Sequence, residues 1–257
     1  MKEQLTIIKV GGKIVEEETS LARLLDDFAA LPGRKLLVHG GGRSATRLAE
    51  RLDIESRMVD GRRITDADTL RVVTMVYGGL VNKNIVAGLQ ARSVNALGLT
   101  GADMDVIRSA KRPVKDVDYG FVGDVERVDA TLLGDLIDRG IVPVMAPLTH
   151  DGRGHILNTN ADTIAGETAK ALASRFDVTL MYCFEKKGVL SNADDDESVI
   201  PAIDRHTFET LVADGTIAGG MKPKIENALA AVDAGVSRVI ITRADAIDGR
   251  SGTVVTR

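Results

Sequence analysis

Two short apolar runs near the start of the chain each end in consecutive glycines flanked by a cation: Ile7-Ile8-Lys9-Val10-Gly11-Gly12-Lys13 and Leu37-Val38-His39-Gly40-Gly41-Gly42-Arg43. Only glycine lets a backbone come so close to a ligand that its own N–H groups become the binding surface. A stretch of helical character follows each turn, so those N–H groups stand near the positive end of a helix dipole. Two such cradles so close in sequence point to a site for two anionic groups.

The rest of the chain has to supply the cations for such a site locally. Its 257 residues carry a formal net charge of −4, so no broad basic face is on offer for a nucleic-acid backbone. Aromatic residues make up 3% and Trp is absent, which also excludes base stacking as a main activity. Lys9, Lys13, Arg43, Arg62, Arg63, Lys222 and Lys224 all lie beside glycine-rich turns. Cys183 is the only cysteine, so neither an intrachain disulfide nor a cysteine zinc site is expected, and its apolar setting reads as core. The N-terminus has no signal-peptide apolar region and no apolar run is read as approaching membrane-spanning length, so a cytoplasmic protein without membrane contact is expected.

Apolar runs of strand length alternate with stretches of helical period, the pattern of βα units around a mostly parallel sheet. The spacing predicts strands at 5–10, 35–39, 94–98, 141–146, 178–183 and 238–242. It predicts helices at 19–30, 43–52, 66–91, 130–139, 160–174, 204–213 and 223–234, with β-hairpins over 104–127. The helix at 66–91 opens with Thr65-Asp66-Ala67-Asp68, a capping-box-like start. Its apolar stripe of Leu70, Val73, Val76, Tyr77, Leu80 and Val81 fits either core packing or a face shared with a partner subunit.

Several motifs have competing readings. His39-Gly40-Gly41-Gly42 matches an esterase oxyanion hole, but the Gly-x-Ser-x-Gly elbow which that chemistry needs is absent. Gly40-x-Gly42-x-x-Ala45 satisfies a loose dinucleotide fingerprint, which would leave the Lys9–Lys13 loop without a role. An anion cradle in a kinase without a Walker A loop accommodates both loops. Asn158-Thr159-Asn160-Ala161-Asp162 either merely starts a helix or supplies amides to grip an anion and a carboxylate to hold a lysine. Lys222 and Lys224 stand at the start of a helix, where cations are disfavoured unless an anion is present. His39, His150, His155 and His206 show no metal-ligand spacing, and His150 and His155 read as a surface turn.

In this order and spacing, the segments Lys9-Val10-Gly11-Gly12, His39-Gly40-Gly41-Gly42, Asp60-Gly61-Arg62-Arg63-Ile64-Thr65, Asn158-Thr159-Asn160-Ala161-Asp162 and Gly219-Gly220-Met221-Lys222-Pro223-Lys224 have a wider meaning. Together they resemble the amino-acid kinase superfamily, and within it the N-acetylglutamate kinases of arginine biosynthesis. The resemblance covers nearly the whole chain. It implies a three-layer αβα sandwich, with residues 1–175 as a lobe for the acyl-amino acid and dimerisation and 176–257 as a lobe for ATP. It also implies direct transfer of the γ-phosphoryl group to the side-chain carboxylate of an N-acylated glutamate, with Mg²⁺ bridging ATP oxygens. By the family pattern Lys9 and Lys224 neutralise the phosphoryl oxygens and Asp162 orients both. Gly11, Gly12 and Gly41 donate N–H groups to the phosphates. Gly41, Gly42, Arg63 and Asn158 hold the glutamate, with Asn160 and Lys222 in support.

The sequence departs from that pattern at two places. Phe184-Glu185-Lys186-Lys187-Gly188 stands where the family usually has a Ser/Thr-Asp pair, so the nucleotide contacts there are not carried over. Arg62 is an added cation beside the glutamate site, so a succinyl group, whose free carboxylate would pair with Arg62, stands beside acetyl as the acyl group. The short lead-in to the first strand lacks the extra N-terminal helix of arginine-inhibited members, which implies a homodimer without that feedback. Carbamate, glutamate, aspartate and UMP kinases share the implied fold and remain alternatives, as does an idle sensor of ATP or an amino acid.

Overall fold

Alternation of inward side chains along the first strand organises the molecule. Leu5 and Ile7 enter one buried apolar cluster and Ile8 and Val10 enter another on the opposite face. A strand buried on both sides must lie inside a sheet with helices on each face. The computed structural model, which describes residues 2–59, 61–192, 194–219 and 221–257, has this arrangement. Asp60 and Gly220 of the motifs above lie outside the described residues.

In chain order the first elements are β1 (Gln4–Val10), α1 (Gly12–Glu16), α2 (Glu18–Ala30), β2 (Arg34–His39) and α3 (Gly42–Arg51). The short pair β3 (Met58–Val59) and β4 (Arg62–Arg63) leads into α4 (Ala67–Val73), a π-helical stretch (Thr74–Val81) and α5 (Asn82–Gln90). Next come β5 (Ala96–Leu99), β6 (Ile107–Lys111), β7 (Gly123–Val128), α6 (Ala130–Asp138) and β8 (Val142–Met145). The hairpin β9 (Leu148–His150) and β10 (Ile156–Asn158) precedes α7 (Ala161–Leu172) and β11 (Asp177–Phe184). The last elements are β12 (Ala202–Ile203), α8 (Arg205–Ala213), α9 (Met221–Asp233), β13 (Arg238–Arg243) and β14 (Thr253–Val255).

The main sheet runs β12-β14-β13-β11-β1-β2-β8-β5. Its neighbours pair in parallel except β13 with β14. Helices α6, α7 and α9 cover one face and α2, α3, α4 and α5 the other, so the three-layer sandwich implied by the resemblance is present. A smaller sheet, β10-β9-β6-β7, contains the hairpin expected within 104–127 and the His150–His155 turn. Strand β1 has β2 on one side and β11 on the other. Chain order therefore reverses about β1, and a crevice opens beyond the carboxyl ends of these strands. Both glycine turns lie there.

The long helix corrects three expectations. First, it is capped by Asp66, whose side chain accepts from the Thr69 N–H at 2.8 Å, so the cap lies one residue later than the Thr65–Asp68 pattern suggests. Thr65 is instead buried and donates to the Arg63 carbonyl. Second, the continuous run Ala67–Gln90 is long and apolar enough by composition to cross a membrane, contrary to the expectation that no run approaches that length. Here its Val72, Val73, Val76, Tyr77, Val81, Ile85 and Leu89 are packed in the core. Third, the wider π-helical turn changes the angular step per residue. The stripe left open between core and partner face is thereby split, with Tyr77 inside at 5% and Leu80 57% exposed, so core packing alone does not account for it.

His39 closes β2 and is fully buried. Its Nδ1 lies 2.7 Å from the Gly40 carbonyl and its Nε2 3.1 Å from Nδ2 of Asn82, an arrangement for a neutral ring donating from Nδ1 and accepting at Nε2. Burial pushes its pKa from 6.5 down to about 4, partly opposed by the Gly40 bond, with Lys83 adding to the fall. Because the unfolded chain takes the proton first, this stabilisation is complete above pH 6.5 and is lost as pH falls through about 4. At about 1.4 kcal/mol per pKa unit it amounts to about 3 kcal/mol. Urea unfolding of wild type and His39→Gln between pH 7 and 4 is expected to show their stability gap closing on acidification; parallel curves would contradict the burial of a neutral His39.

Candidate functional site

The two glycine turns meet backbone to backbone. The Gly40 N–H donates to the Val10 carbonyl at 2.9 Å, and a Cβ on Gly40 would lie 3.0 Å from the Gly12 nitrogen. A Cβ on Gly12 would come within 3.4 Å of the Gly42 nitrogen. A Cβ on Gly41 would sit 2.9 Å from the Tyr77 ring. These glycines are therefore needed to bring two helix N-termini, those of α1 and α3, to the same point. Their N–H groups and helix dipoles favour anions.

Glu16, at the end of α1, fixes the two turns to each other. Its side chain is only 6% exposed; Oε1 accepts from the Ser44 N–H at 2.5 Å and Oε2 pairs with Arg47 at 3.0 Å. A carboxylate from one helix thus caps the start of the next. No local pattern in the sequence announces this, because the partners are joined only by the fold.

Lys9 is 7% exposed, and its Nζ lies 2.7 Å from Oδ1 of Asp162 at the start of α7. Asn160 caps α7 by accepting from the N–H groups of Asp162 and Thr163 at 2.8 and 3.1 Å. The Tyr182 hydroxyl donates to the Asp162 carbonyl at 3.2 Å. From the other side, Lys224 in the first turn of α9 stands 3.8 Å from the Phe184 ring centroid, with Lys9 at 5.2 Å from the same centroid. Burial lowers the Lys224 pKa, Asp162 opposes that, and the Lys9 charge adds to it. Lys222 is exposed and is not brought to this cluster. Cys183, just before Phe184, is fully buried and burial pushes its thiol up to about 12, as befits a core residue.

Two clefts adjoin this cluster and share Gly42. One, of about 690 Å³, is lined by Gly41, Gly42, Arg62, Arg63, Tyr77 and Asn158, among others. In it Arg63 is 8% exposed and braces the second glycine turn, with NH2 donating to the Gly42 carbonyl at 2.9 Å and to Thr46 Oγ1 at 2.8 Å. Its NH1 donates to Ser56. Asn158 donates to Thr65 Oγ1 at 2.9 Å, and Arg62 is exposed at the rim. Tyr77, which regular helical spacing reads as core or partner face, forms part of this wall. The other cleft, of about 1000 Å³, is lined by Gly11, Gly12, Lys13, Arg43, Phe184 and Lys224, among others. Two anion-friendly clefts thus meet at Gly42, one of them reaching Lys224 of the Lys–Asp–Lys cluster, an arrangement able to bring two negatively charged molecules together.

The profile of the amino acid kinase family matches residues 4–243. The chain belongs to the amino acid kinase family. Relatives include the acetylglutamate kinase of Bacteroides thetaiotaomicron, 74% identical over 253 residues covering 98% of each chain. That of Phocaeicola vulgatus is 74% identical over 255 residues covering 99% of each. Among solved structures, smu.665 from Streptococcus mutans has a TM-score of 0.81 at 28% identity, with 98% of both chains covered. Carbamate kinase from Giardia lamblia, at 15% identity, 100% and 99% coverage and a TM-score of 0.69, shares the fold. In this amino acid kinase Gly40→Ala is expected to push the glycine turns apart and lower kcat/KM by about 10²-fold, the scale of a 1 Å misplacement. Steady-state kinetics check this; unchanged kcat/KM would show that the close contact is not needed.

Proposed function

We propose that this chain transfers the γ-phosphoryl group of ATP to the side-chain carboxylate of N-acetyl-L-glutamate, giving the acyl phosphate, the second step of arginine biosynthesis. The observation that carries this reading is the pair of lysines, Lys9 and Lys224, converging beside Asp162 where two clefts meet. The names of the relatives supply the acceptor.

The acceptor carboxylate is already ionised near neutrality, so no general base is required. What the reaction needs is approach of two anions and neutralisation of charge on the phosphoryl oxygens in flight. Lys9 and Lys224 provide that charge, and Asp162 fixes Lys9 at 2.7 Å. Asn160 acts through the start of α7 by capping it. Gly11, Gly12 and Gly41 offer N–H groups to the phosphates. Gly41, Gly42, Arg63 and Asn158 form the acylglutamate wall, with Arg63 also bracing the turn. Lys222, exposed and outside both cleft linings, is left at most a long-range electrostatic part in this reading. Residues 1–175 then form the acylglutamate lobe and 176–257 the ATP lobe.

Among the described residues no group of three or more His, Cys, Asp or Glu side chains is placed to hold a metal ion. The proposed Mg²⁺ would enter as a companion of the ATP phosphates, the usual way Mg²⁺ binds in kinases. When bound, it would spread the charge of the β- and γ-oxygens. The exposed Met75 and Leu80 on the long helix support a homodimer formed across that helix. A cytoplasmic location, where ATP is abundant, is part of this proposal.

Arg62 at the rim of the acylglutamate cleft favours a second acceptor, N-succinyl-L-glutamate, whose extra carboxylate would meet its guanidinium. An ADP-release assay with both acylglutamates decides between them by kcat/KM, a clear acetyl preference removing the succinyl reading. With the better acceptor, Lys9→Ala is expected to lower kcat by roughly 10²–10³-fold, the effect of losing one preorganised charge-stabilising donor. Near-wild-type turnover in Lys9→Ala, or ADP release indifferent to either acceptor, would contradict the proposed reaction.

A further inference from the structure

Phe184 lays its ring against both lysines. It is the last residue of β11, paired in register with Arg243 of β13 and one step beyond the Val10–Cys183 pair of the central strands. Its ring receives Lys224 Nζ at 3.8 Å and Lys9 Nζ at 5.2 Å from the centroid. It is itself held nearly parallel to the Tyr182 ring, 14° apart with centroids at 6.2 Å. Tyr182 in turn donates to the Asp162 carbonyl, so the ring, the carboxylate and both lysines form one connected group.

Two ammonium groups facing one carboxylate are under-neutralised until phosphates arrive. Lys9 has its ion pair with Asp162, but Lys224 has no salt bridge to a carboxylate among the described residues. The negative face of an aromatic ring attracts a cation without competing for the hydrogen-bond donors that a phosphoryl group will need. A carboxylate in the same place would draw the lysines away from the transferring group. An aliphatic side chain would leave Lys224 free to swing to solvent.

We propose that Phe184 is a positioning residue that holds Lys224, and through the shared ring the Lys9–Lys224 pair, in the geometry required for phosphoryl transfer. This rests on the assignment of the two lysines to the transferring phosphoryl group. The residue lines the larger cleft but its proposed role acts through the lysines, so its loss should act on turnover more than on substrate binding.

The test compares the wild type with Phe184→Leu, which keeps apolar bulk, and Phe184→Tyr, which keeps the ring. In Phe184→Leu kcat is expected to fall about tenfold, equivalent to about 1.4 kcal/mol of activation free energy, with KM for both substrates little changed. Phe184→Tyr is expected to restore kcat. A readout independent of turnover is the proton NMR signal of the Lys224 side chain after isotopic reductive methylation, assigned by its loss in Lys224→Arg. That signal should be shifted upfield by the ring in the wild type and Phe184→Tyr, and return to the ordinary lysine position in Phe184→Leu. Unchanged kcat in Phe184→Leu, failure of Phe184→Tyr to restore it, or an upfield signal that survives the loss of the ring would overturn the proposal. A wild type that turns over no acylglutamate would instead overturn the proposed function, and the NMR comparison would still decide whether Phe184 holds Lys224.

Discussion

The buried pair of Lys9 and Asp162 is the interaction on which the site depends. A lysine 7% exposed at the end of a central strand is tolerable only with a partner, and Asp162 supplies it at 2.7 Å. Removing one member of a fully buried pair costs about 3–5 kcal/mol. The figure is smaller here, because the Asp162 side chain keeps 23% of its surface. The pair also ties β1 to the start of α7. That tie places the carboxyl end of the central strand, both glycine turns and the amide-rich segment around Asn158 about one point.

The glycine turns and this pair depend on one another. Close contact of Gly40 with Gly12 brings two helix starts together, and Glu16 closes that contact by capping α3. His39, neutral and buried, anchors the Gly40 carbonyl from behind. The polar groups lining the site are thus positioned by bonds made below it. Such preorganisation is what a reaction limited by orientation and charge requires.

Much of the fold was legible because strand and helix periods are local. The expected strands at 5–10, 35–39 and 178–183 lie within or coincide with observed ones, and the glycine turns follow the first two. What escaped depends on contacts distant in sequence or on departures from regular geometry. The π-helical stretch has no signature in a period of 3.6, so Leu80 and Tyr77 were put on one stripe and the role of Tyr77 in the cleft wall was missed. The pair β12 and β14 is too short to carry a pattern. Within the site, the glycines and cations announced an anion chemistry. The resemblance already implies that Asp162 orients Lys9, and the 2.7 Å pair agrees with it, whereas the contact of Lys224 with Phe184 follows only from the fold. Glu16 gave no sequence signal, and Phe184 gave one only as a departure from the pattern expected after that strand.

Under the proposed function the two clefts are parts of a single reaction axis, along which the phosphoryl group would pass once between nucleotide and acceptor with no covalent stop on the protein. The stereochemical course at the γ-phosphorus of chirally labelled ATP tests this most directly, read on the phosphoryl group of the acyl phosphate product. Inversion of configuration is expected for one in-line transfer past Lys9 and Lys224; retention would contradict it by requiring a second transfer through a group on the enzyme.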